Sequence, residues 1–331
     1  MTNAIIATTP AGLYCREGDF YIDPRLPVER AVITHAHADH VRWGCQSYLC
    51  ARDSRSLLRA RLGPDDRIQD LAYGETLKIN SVELSLHPAG HILGSAQVRI
   101  ERDGQVVVVS GDYKDGPDPT CAPLAPLRCD TFVSESTFGL PIFKWPRQED
   151  VLRDIRSWWQ ANRAEGRTSI LFAYALGKAQ RVLAGLGSAL GPILTHGAVE
   201  KINQCYRETG ISLPDTRHVG EVNNRALLKE ALVIAPPSAD HPAWLKRFPQ
   251  RSRAFASGWM RIRGNRRRRG YDYGFELSDH ADWSALLRTI EECGASTILT
   301  THGRSEELVR FLCERGIDAR ALTTLYGGED D

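Results

Sequence analysis

Four side chains of the types that bind metal ions are crowded into one short segment. Directly after the β-branched run that ends at Thr34 come His35, His37, Asp39 and His40. When a loop turns sharply off a strand end, residues at this spacing converge on a small volume. Imidazole nitrogen with carboxylate oxygen is the ligand mix that suits zinc and similar ions. The segment therefore indicates a metal site; the alternative is a set of ordinary surface histidines.

Three further candidate ligands lie far along the chain, each after a predicted strand and an abrupt turn. They are His91, Asp112 and His302. Taken singly, a polar residue at such a place is more commonly a cap or a turn residue. Because all three repeat the arrangement seen at His35, we expect seven ligands at one edge of a sheet. Seven ligands can hold two divalent ions, for which zinc fits the ligand set and manganese is the alternative.

Composition narrows the class of protein. The 331 residues carry a net charge of +1 and 42% hydrophobic residues, as in a globular protein of more than one domain. No apolar run reaches the ~18 residues of a membrane helix, and the first residues lack a signal-peptide pattern. We therefore expect a cytoplasmic protein with no membrane partner. Its eight scattered cysteines form no C-x-x-C pair, which favours buried free thiols over a disulfide framework.

The predicted elements suggest one domain inserted into another. Short strands and turns fill the first part of the chain, and strands alternate with helices after Gly166, as in a parallel α/β unit. A helix over 283–293 and a strand over 297–301 follow. Because the candidate histidine ligands lie before and after the middle block, we predict a parent domain in two parts, 1–145 and 272–331, with an insert over 146–271.

A strongly basic stretch closes the predicted insert. Between His241 and Tyr271 the chain has ten Lys or Arg and no Asp or Glu, and the densest part contains Arg261, Arg263 and Arg266. A solvated run of charge is the plain alternative. Beside a hydrolytic site, however, an acid-free stretch more often contacts phosphate, which favours a nucleic-acid substrate.

The order of the motifs resembles the metallo-β-lactamase superfamily, whose hallmark is H-x-H-x-D-H followed by a separate His, an Asp and a final His. In more detail the chain is similar to the β-CASP nuclease branch, through the segments Ser134–Gly139, Leu277–Asp282, Thr301–Gly303, Phe172–Gln180 and Ala256–Trp259. The resemblance covers nearly the whole chain, and within this branch the chain is most similar to the bacterial ligase-associated DNA exonucleases. It implies an α/β fold: a four-layer αβ/βα sandwich with an inserted parallel α/β (β-CASP) domain.

The resemblance also implies a role for each candidate ligand. One ion would be bound by His35, His37 and His91, and the other by Asp39, His40 and His302. Asp112 would bridge the two ions. Asp23 matches the first Asp of the superfamily, which orders neighbouring residues, although a turn residue is the alternative at that position.

The implied reaction is hydrolysis of phosphodiester bonds, with two divalent ions increasing the acidity of a water and stabilising charge on the phosphoryl oxygens. We predict that His280 protonates the leaving oxygen as general acid and that Glu135 hydrogen-bonds His280 and raises its pKa. Asp39 is the third predicted catalytic residue, together with His280 and Glu135. The predicted phosphate contacts are Ser278, Lys178, Arg261, Arg263 and Arg266.

The function that the resemblance implies is a DNA exonuclease that trims single-stranded ends in DNA end processing or repair, with an ATP-dependent DNA ligase and a helicase as the implied partners. A β-CASP ribonuclease is the nearest alternative, since RNA-cutting members keep the histidine at the position of His302. A small-ester hydrolase explains neither the inserted block nor the basic stretch. A catalytically idle nucleic-acid-binding module has no need of the paired Glu135 and His280. Polarity and the choice of exonuclease over endonuclease stay open.

Overall fold

The computed structural model describes residues 4–64, 66–187, 190–262, 264 and 270–322. The chain divides into two compact units, the first formed by residues 1–144 with 280–330 and the second by residues 145–279. The predicted domain boundaries, at 145/146 and 271/272, stay predictions. Within the described ranges no helix is both long enough and apolar enough to cross a membrane.

Strands dominate the first part of the chain, and from residue 148 onward helices are interspersed between the strands. The strands are β1 (Ile6–Thr9), β2 (Gly12–Cys15), β3 (Phe20–Ile22), β4 (Arg30–Val32), β5 (Ser47–Ala51), β6 (Ile68–Leu71), β7 (Thr76–Ile79), β8 (Val82–Pro88), β9 (Ala96–Arg102), β10 (Gln105–Val109), β11 (Thr131–Glu135), β12 (Thr168–Phe172), β13 (Ile193–Thr195), β14 (Arg217–His218), β15 (Leu232–Ala235), β16 (Arg251–Ala256), β17 (Tyr273–Phe275), β18 (Thr297–Thr301) and β19 (Asp318–Ala321). The helices are α1 (Arg55–Leu62), α2 (Gln148–Ala164), α3 (Lys178–Leu186), α4 (Gly197–Glu208), α5 (Arg225–Glu230), α6 (Pro242–Leu245), α7 (Trp283–Cys293) and α8 (Ser305–Cys313). The predicted α/β class is confirmed.

The first unit packs two sheets face to face. One sheet has the order β1-β2-β3-β4-β5-β6 and the other β19-β18-β11-β10-β9-β8-β7. Side chains alternate across β10: Val107 and Val109 join the core shared with Phe20 of the first sheet, whereas Val108 packs with Leu286 of α7. The second sheet is therefore covered on both faces, which explains why β10 is apolar along most of its length.

Five strands of the second sheet run in one direction: β19, which is parallel to β18, and four others. Strands β10, β11 and β18 are mutually parallel. Strand β9 is antiparallel to both β8 and β10, so β8 points the same way as β10. The carboxyl ends of these four strands consequently meet at one edge of the sheet.

The second unit is built on a parallel sheet of order β14-β13-β15-β12-β16-β17. Its central strands are apolar on both faces: Leu171 packs against Val182 and Leu183 of α3, while Ile170 and Phe172 belong to a second core on the other side. Burial on both faces is the usual situation of a parallel sheet between helices.

The acid-free stretch is not one continuous surface, because it contains the buried strand β16. Arg251 Nη1 donates to the carbonyl of Phe248 at 2.8 Å, and Arg253 Nη1 lies 2.9 Å from Asp240 Oδ1. These two arginines therefore serve the fold. Strand β16 is not predicted from the sequence, since Arg251 and Arg253 conceal a central strand whose other side chains are buried.

All eight cysteines are free, and six of them are buried. The expectation of scattered free thiols without a disulfide framework is confirmed.

Candidate metal centre

Four of the seven candidate ligands follow the carboxyl end of a strand by one to three residues. His35 follows β4, His91 follows β8, Asp112 follows β10 and His302 follows β18. Three of these strands share one direction in the second sheet, and the two sheets face each other, so distant parts of the chain reach one rim. The structure brings all seven candidate ligands of the sequence analysis together in two groups that meet at Asp112.

The first group contains His35, His37, His91 and Asp112. His37 Nδ1 lies 3.1 Å from His35 Nε2 and 3.1 Å from His91 Nε2. Asp112 Oδ2 lies 3.4 Å from His35 Nε2 and 3.8 Å from His91 Nε2. The four ligand atoms thus face one small volume.

The second group contains Asp39, His40 and His302. His40 Nε2 lies 3.5 Å from Asp39 Oδ2 and 3.5 Å from Asp112 Oδ2. The rings of His40 and His302 are stacked, with centroids 5.1 Å apart. One oxygen of Asp112 therefore lies within reach of histidines from both groups, which is the position a bridging carboxylate needs.

These separations fit a bound cation. Ligand atoms about 2.0–2.2 Å from a tetrahedral ion lie about 3.3–3.6 Å from one another. The distances between His35, His37, His91 and Asp112 fall close to that range. In addition, Asp112 Oδ1 is buried and accepts no hydrogen bond within the part of the chain that the structure describes. A buried carboxylate oxygen without a donor is costly unless a cation lies beside it. Metal ligation by these residues stays a prediction that the geometry allows.

The protonation states of the buried histidines also suit metal binding. Burial lowers the pKa of His35 well below its ordinary value and lowers the pKa of His302 to about 4, so both imidazoles are neutral near pH 7. Burial also disfavours the charged form of His40. The negative charges of neighbouring carboxylates, of which Asp39 has the largest effect, outweigh that burial effect and raise the pKa of His40 well above its ordinary value. A cation must displace that proton, so metal affinity should fall as the pH is lowered.

Asp23 orients the second group. Its Oδ1 accepts from the Thr34 backbone N–H at 2.8 Å, and its Oδ2 lies 2.7 Å from His40 Nδ1. A carboxylate only accepts hydrogen bonds, so Nδ1 carries a proton and Nε2 is directed to the ligand position. Threonine hydroxyls lie beside Nδ1 of His35 and of His302 in the same way, at 3.0 and 2.8 Å.

Replacement of Asp23 by asparagine should weaken metal binding about 10–100-fold, the usual effect of losing a carboxylate that orients a ligand histidine. Asp23 has φ +44°, a left-handed conformation that asparagine also tolerates, so the backbone should be retained. Competition against a chelator measures the affinity. Asp19→Asn is the matched control, because Asp19 has φ +51° but its exposed carboxylate bonds Tyr14 and Arg30. Equal affinities of the two variants would contradict the role of Asp23.

Glu135 and His280 form the predicted pair. His280 Nδ1 lies 2.9 Å from Glu135 Oε2, and the Tyr113 backbone N–H donates to Glu135 Oε1 at 2.7 Å. Burial raises the pKa of Glu135 above its ordinary value, and the negative charge of Asp112 adds to that effect. His280 Nδ1 also lies 4.0 Å from Asp112 Oδ2. The pair therefore borders the candidate metal groups, and its roles in acid catalysis stay predictions.

The turn that carries His302 depends on glycine. His302 has φ +57° and Gly303 has φ +65°, both left-handed. Ser136 Oγ, within the motif that supplies Glu135, donates to the carbonyl oxygens of Thr301 and His302. A Cβ atom on Gly303 would lie 2.4 Å from the backbone of Ser136. Ser136 is part of a recognised motif, but its role in holding this turn is not predicted from the sequence.

Gly303→Ala should lower the free energy of unfolding by about 2–5 kcal/mol, from left-handed strain of about 1–2 kcal/mol plus overpacking of about 1–3 kcal/mol. Gly316→Ala is the matched control. Gly316 has φ +80°, and a Cβ there meets no described atom within 4 Å, so only the strain of about 1–2 kcal/mol applies. Denaturant unfolding compares the two variants. An equal loss in both would show that the close approach to Ser136 is unimportant.

Two of the predicted phosphate contacts, Lys178 and Ser278, are buried in the second unit. Lys178 Nζ lies 3.3 Å from Asp279 Oδ2 and 4.5 Å from the centre of the Tyr174 ring. Arg181 Nε lies 3.2 Å from Asp279 Oδ1. Because two cations share one carboxylate, the cluster keeps a net positive charge. Phosphate binding by Lys178 and Ser278 stays a prediction.

The other predicted phosphate contacts belong to the basic stretch. Arg261 is exposed, and its Nη1 lies 3.2 Å from Glu276 Oε2. Arg263 and Arg266 lie outside the described residues. A phosphate contact at Arg261 would compete with Glu276.

Comparison with known proteins adds relatives of two kinds. No family model matches the chain. Over 322 residues, 97% of the chain, it is 33% identical to a protein named "Probable DNA ligase" from Opitutus terrae, of which it covers 31%. Over 50% of its length it is 30% identical to "Ribonuclease TTHA0252" from Thermus thermophilus, of which it covers 44%. Other relatives are named as endoribonucleases and as an RNase J-like protein. The chain thus spans less than half of the length of each of these relatives.

A solved structure shares the fold. It is described as a protein of unknown function from Enterococcus faecalis V583, and it matches with a TM-score of 0.59 and 12% identity over 90% of this chain and 80% of that one. At this identity the likeness concerns the fold alone.

Over half of its length or less, the chain is thus similar to proteins named as ribonucleases or as RNase J-like, and it carries the histidine and aspartate groups described above.

Proposed function

We propose that this protein is a metal-dependent exonuclease that hydrolyses phosphodiester bonds in DNA and acts alongside a DNA ligase. The observation that carries the choice of DNA is the extent of one relationship. Nearly the whole chain, 97%, aligns with under a third of a protein named as a probable DNA ligase, whereas the ribonuclease relatives align with half of the chain or less. A segment of this kind within a ligase chain suggests that the two activities serve the same DNA ends.

The proposed architecture is a metallo-β-lactamase sandwich, residues 1–145 and 272–331, with a β-CASP insert over 146–271. Two facing sheets with helices α7 and α8 on the second sheet support the sandwich. The parallel sheet of the second unit supports the insert. Strand β17 lies beyond the proposed end of the insert and pairs with β16, so the sheet continues to Phe275.

The two ligand groups would each hold one divalent ion. When bound, two divalent ions supply Lewis-acid stabilisation of the phosphoryl oxygens and a more acidic water. The residues that would hold them are His35, His37 and His91 for one ion, Asp39, His40 and His302 for the other, and Asp112 for both. Zinc suits this set of imidazoles and carboxylates, and manganese is the alternative.

His280 is the proposed general acid. Glu135 engages Nδ1 of the imidazole, so the proton that reaches the leaving oxygen would come from Nε2. The backbone N–H of Tyr113 fixes the other oxygen of Glu135, which keeps the carboxylate and therefore the imidazole in place. Asp39, with an exposed side chain, would face the water and the substrate.

Digestion of end-labelled single-stranded DNA and RNA, mixed in equal amounts and supplied with zinc or manganese, tests the proposal. We expect DNA to be consumed first, with mononucleotides as the early products and trimming in the 5′-to-3′ direction. Internal fragments of several lengths among the early products would contradict an exonuclease. Loss of RNA with intact DNA would establish the alternative ribonuclease, and metal-loaded protein that cuts neither polymer would establish a binding module.

The ribonuclease alternative rests on specific observations. The nuclease relatives are named as ribonucleases or RNase J-like proteins, and His302 is placed with the second ligand group. Both substrates need the same phosphodiester chemistry, so the metal centre itself does not distinguish them.

A further inference from the structure

A cavity within the second unit combines positive charge with apolar walls. Its volume is about 320 Å³, in the size range of small-molecule sites. It lies where β12 and β16 begin: Thr168 is the first residue of β12, its backbone N–H donates to the carbonyl of Gln250 at 2.9 Å, and both residues line the cavity. The cavity is therefore at the amino ends of the parallel strands, whereas Lys178 follows the carboxyl end of β12.

Four cationic side chains line this cavity, and no carboxylate does. They are Arg225, Lys229, Lys246 and Arg247. Within the described ranges none of the four forms an ion pair. Elsewhere in the unit arginines are paired, as Arg163 is with Glu230. In a chain of net charge +1, four uncompensated cations around one concavity mark a site for an anion.

The cavity is also shaped. Arg247 Nη2 donates to the carbonyl oxygens of Val222 at 2.7 Å and Gly220 at 3.3 Å, which ties the two segments that form the walls. The buried side chains of Val222 and Leu228 supply apolar surface. The exposed amide of Asn223 lies on the rim and can both donate and accept.

We propose that this cavity binds a nucleoside phosphate, either free or as one residue of a nucleic-acid strand. The cations would bind the phosphate, since arginine presents a planar fork to phosphate oxygens. The apolar wall would take the base, and the amides would bond its edge. An acidic protein surface would use the charges but leave the apolar concavity unfilled. The proposal does not depend on the nuclease activity of the metal centre.

Calorimetric titration of the full chain tests the site, with a deoxynucleoside 5′-monophosphate, the same nucleoside without phosphate, inorganic pyrophosphate and a hydrolysis-resistant oligonucleotide as probes. All are measured in the Asp112→Asn background, which separates this cavity from the metal centre. The test variant is Arg225→Gln with Lys229→Gln and Lys246→Gln; Arg247 is kept because it holds the walls. The matched control removes three exposed, carboxylate-paired charges of the same unit: Arg147→Gln, Arg153→Gln and Arg167→Gln.

We expect saturable binding of the monophosphate, at least about tenfold weaker binding of the nucleoside, and at least about tenfold weaker binding of the monophosphate to the test variant but not to the control. If a nucleic-acid strand is the physiological ligand, the oligonucleotide binds more tightly than the monophosphate. Its affinity for the test variant then falls by the same factor as that of the monophosphate. Absence of saturable binding, an equal effect of test and control variants, or binding of pyrophosphate without the nucleotide would each overturn the proposal. DNA hydrolysis is measured separately in a protein that carries the three test substitutions and an intact Asp112. Hydrolysis by that protein would show that the nuclease proposal holds even if the cavity binds no nucleotide.

Discussion

Asp112→Asn is expected to lower phosphodiester hydrolysis on the order of 10³-fold or more, because the stabilisation that paired cations supply amounts to several kcal/mol. Asp112 belongs to the first ligand group and also lies beside His40 of the second group. Its Oδ2 lies within 3.4–3.8 Å of His35, His40 and His91. Histidines close to it lower the pKa of Asp112 well below its ordinary value although burial alone would raise it, so the carboxylate is charged at neutral pH.

The measurement combines turnover with metal content per chain. Asparagine keeps the shape of the side chain but removes the negative charge, so we expect bound metal to fall together with activity. Asp103→Asn is the control, since the Asp103 side chain is 90% exposed. An Asp112→Asn protein with full metal content and near-normal turnover would exclude a bridging role.

His280→Ala is expected to lower turnover by about 10²–10⁴-fold while metal content stays unchanged. The hydrogen bond that His280 Nδ1 donates to Glu135 and the distance of 4.0 Å to Asp112 Oδ2 place the imidazole beside the ligand groups. An acid that protonates the leaving oxygen matters most when that oxygen is strongly basic. The loss should therefore be large for an oligonucleotide and small for a p-nitrophenyl phosphodiester, whose leaving group needs no proton.

The rival role for His280 is metal ligation, because Asp112, Glu135 and His280 form a third group that could hold an ion. Loss of bound metal from His280→Ala, with equal losses of rate on both substrates, would establish that role. Glu135→Gln separates the partners further. If Glu135 acts by keeping the imidazole protonated, its loss should move the alkaline arm of the pH–rate profile to lower pH while the metal content is kept.

Local sequence predicted the candidate ligands because their positions depend on short-range geometry. A run of β-branched residues followed by a turn and a polar side chain indicates a strand end whether or not the neighbouring strand is known. Helix α7 and strand β18 were predicted with their observed bounds for the same reason, since the periodicity of their apolar residues is local.

A strand with charged residues and a residue with two possible roles were harder to predict. Strand β16 carries Arg251 and Arg253, whose charges are satisfied by a carbonyl and by Asp240, so its central place in the sheet is not visible in its composition. Asp23 could be read either as a turn residue or as an ordering residue. Its hydrogen bond to His40 decides the geometry, and that contact joins separate segments.

The sequence by itself determined which residue types stand at the strand ends and that the middle of the chain alternates between strands and helices. Only the tertiary structure decided that β8, β10, β11 and β18 point the same way and carry His91, Asp112, Glu135 and His302 to one edge. It also decided that Lys178 is buried beside Asp279 and that two separate segments enclose four cations. Strand pairing and charge pairing join residues far apart in the chain, so no local pattern of residues specifies them.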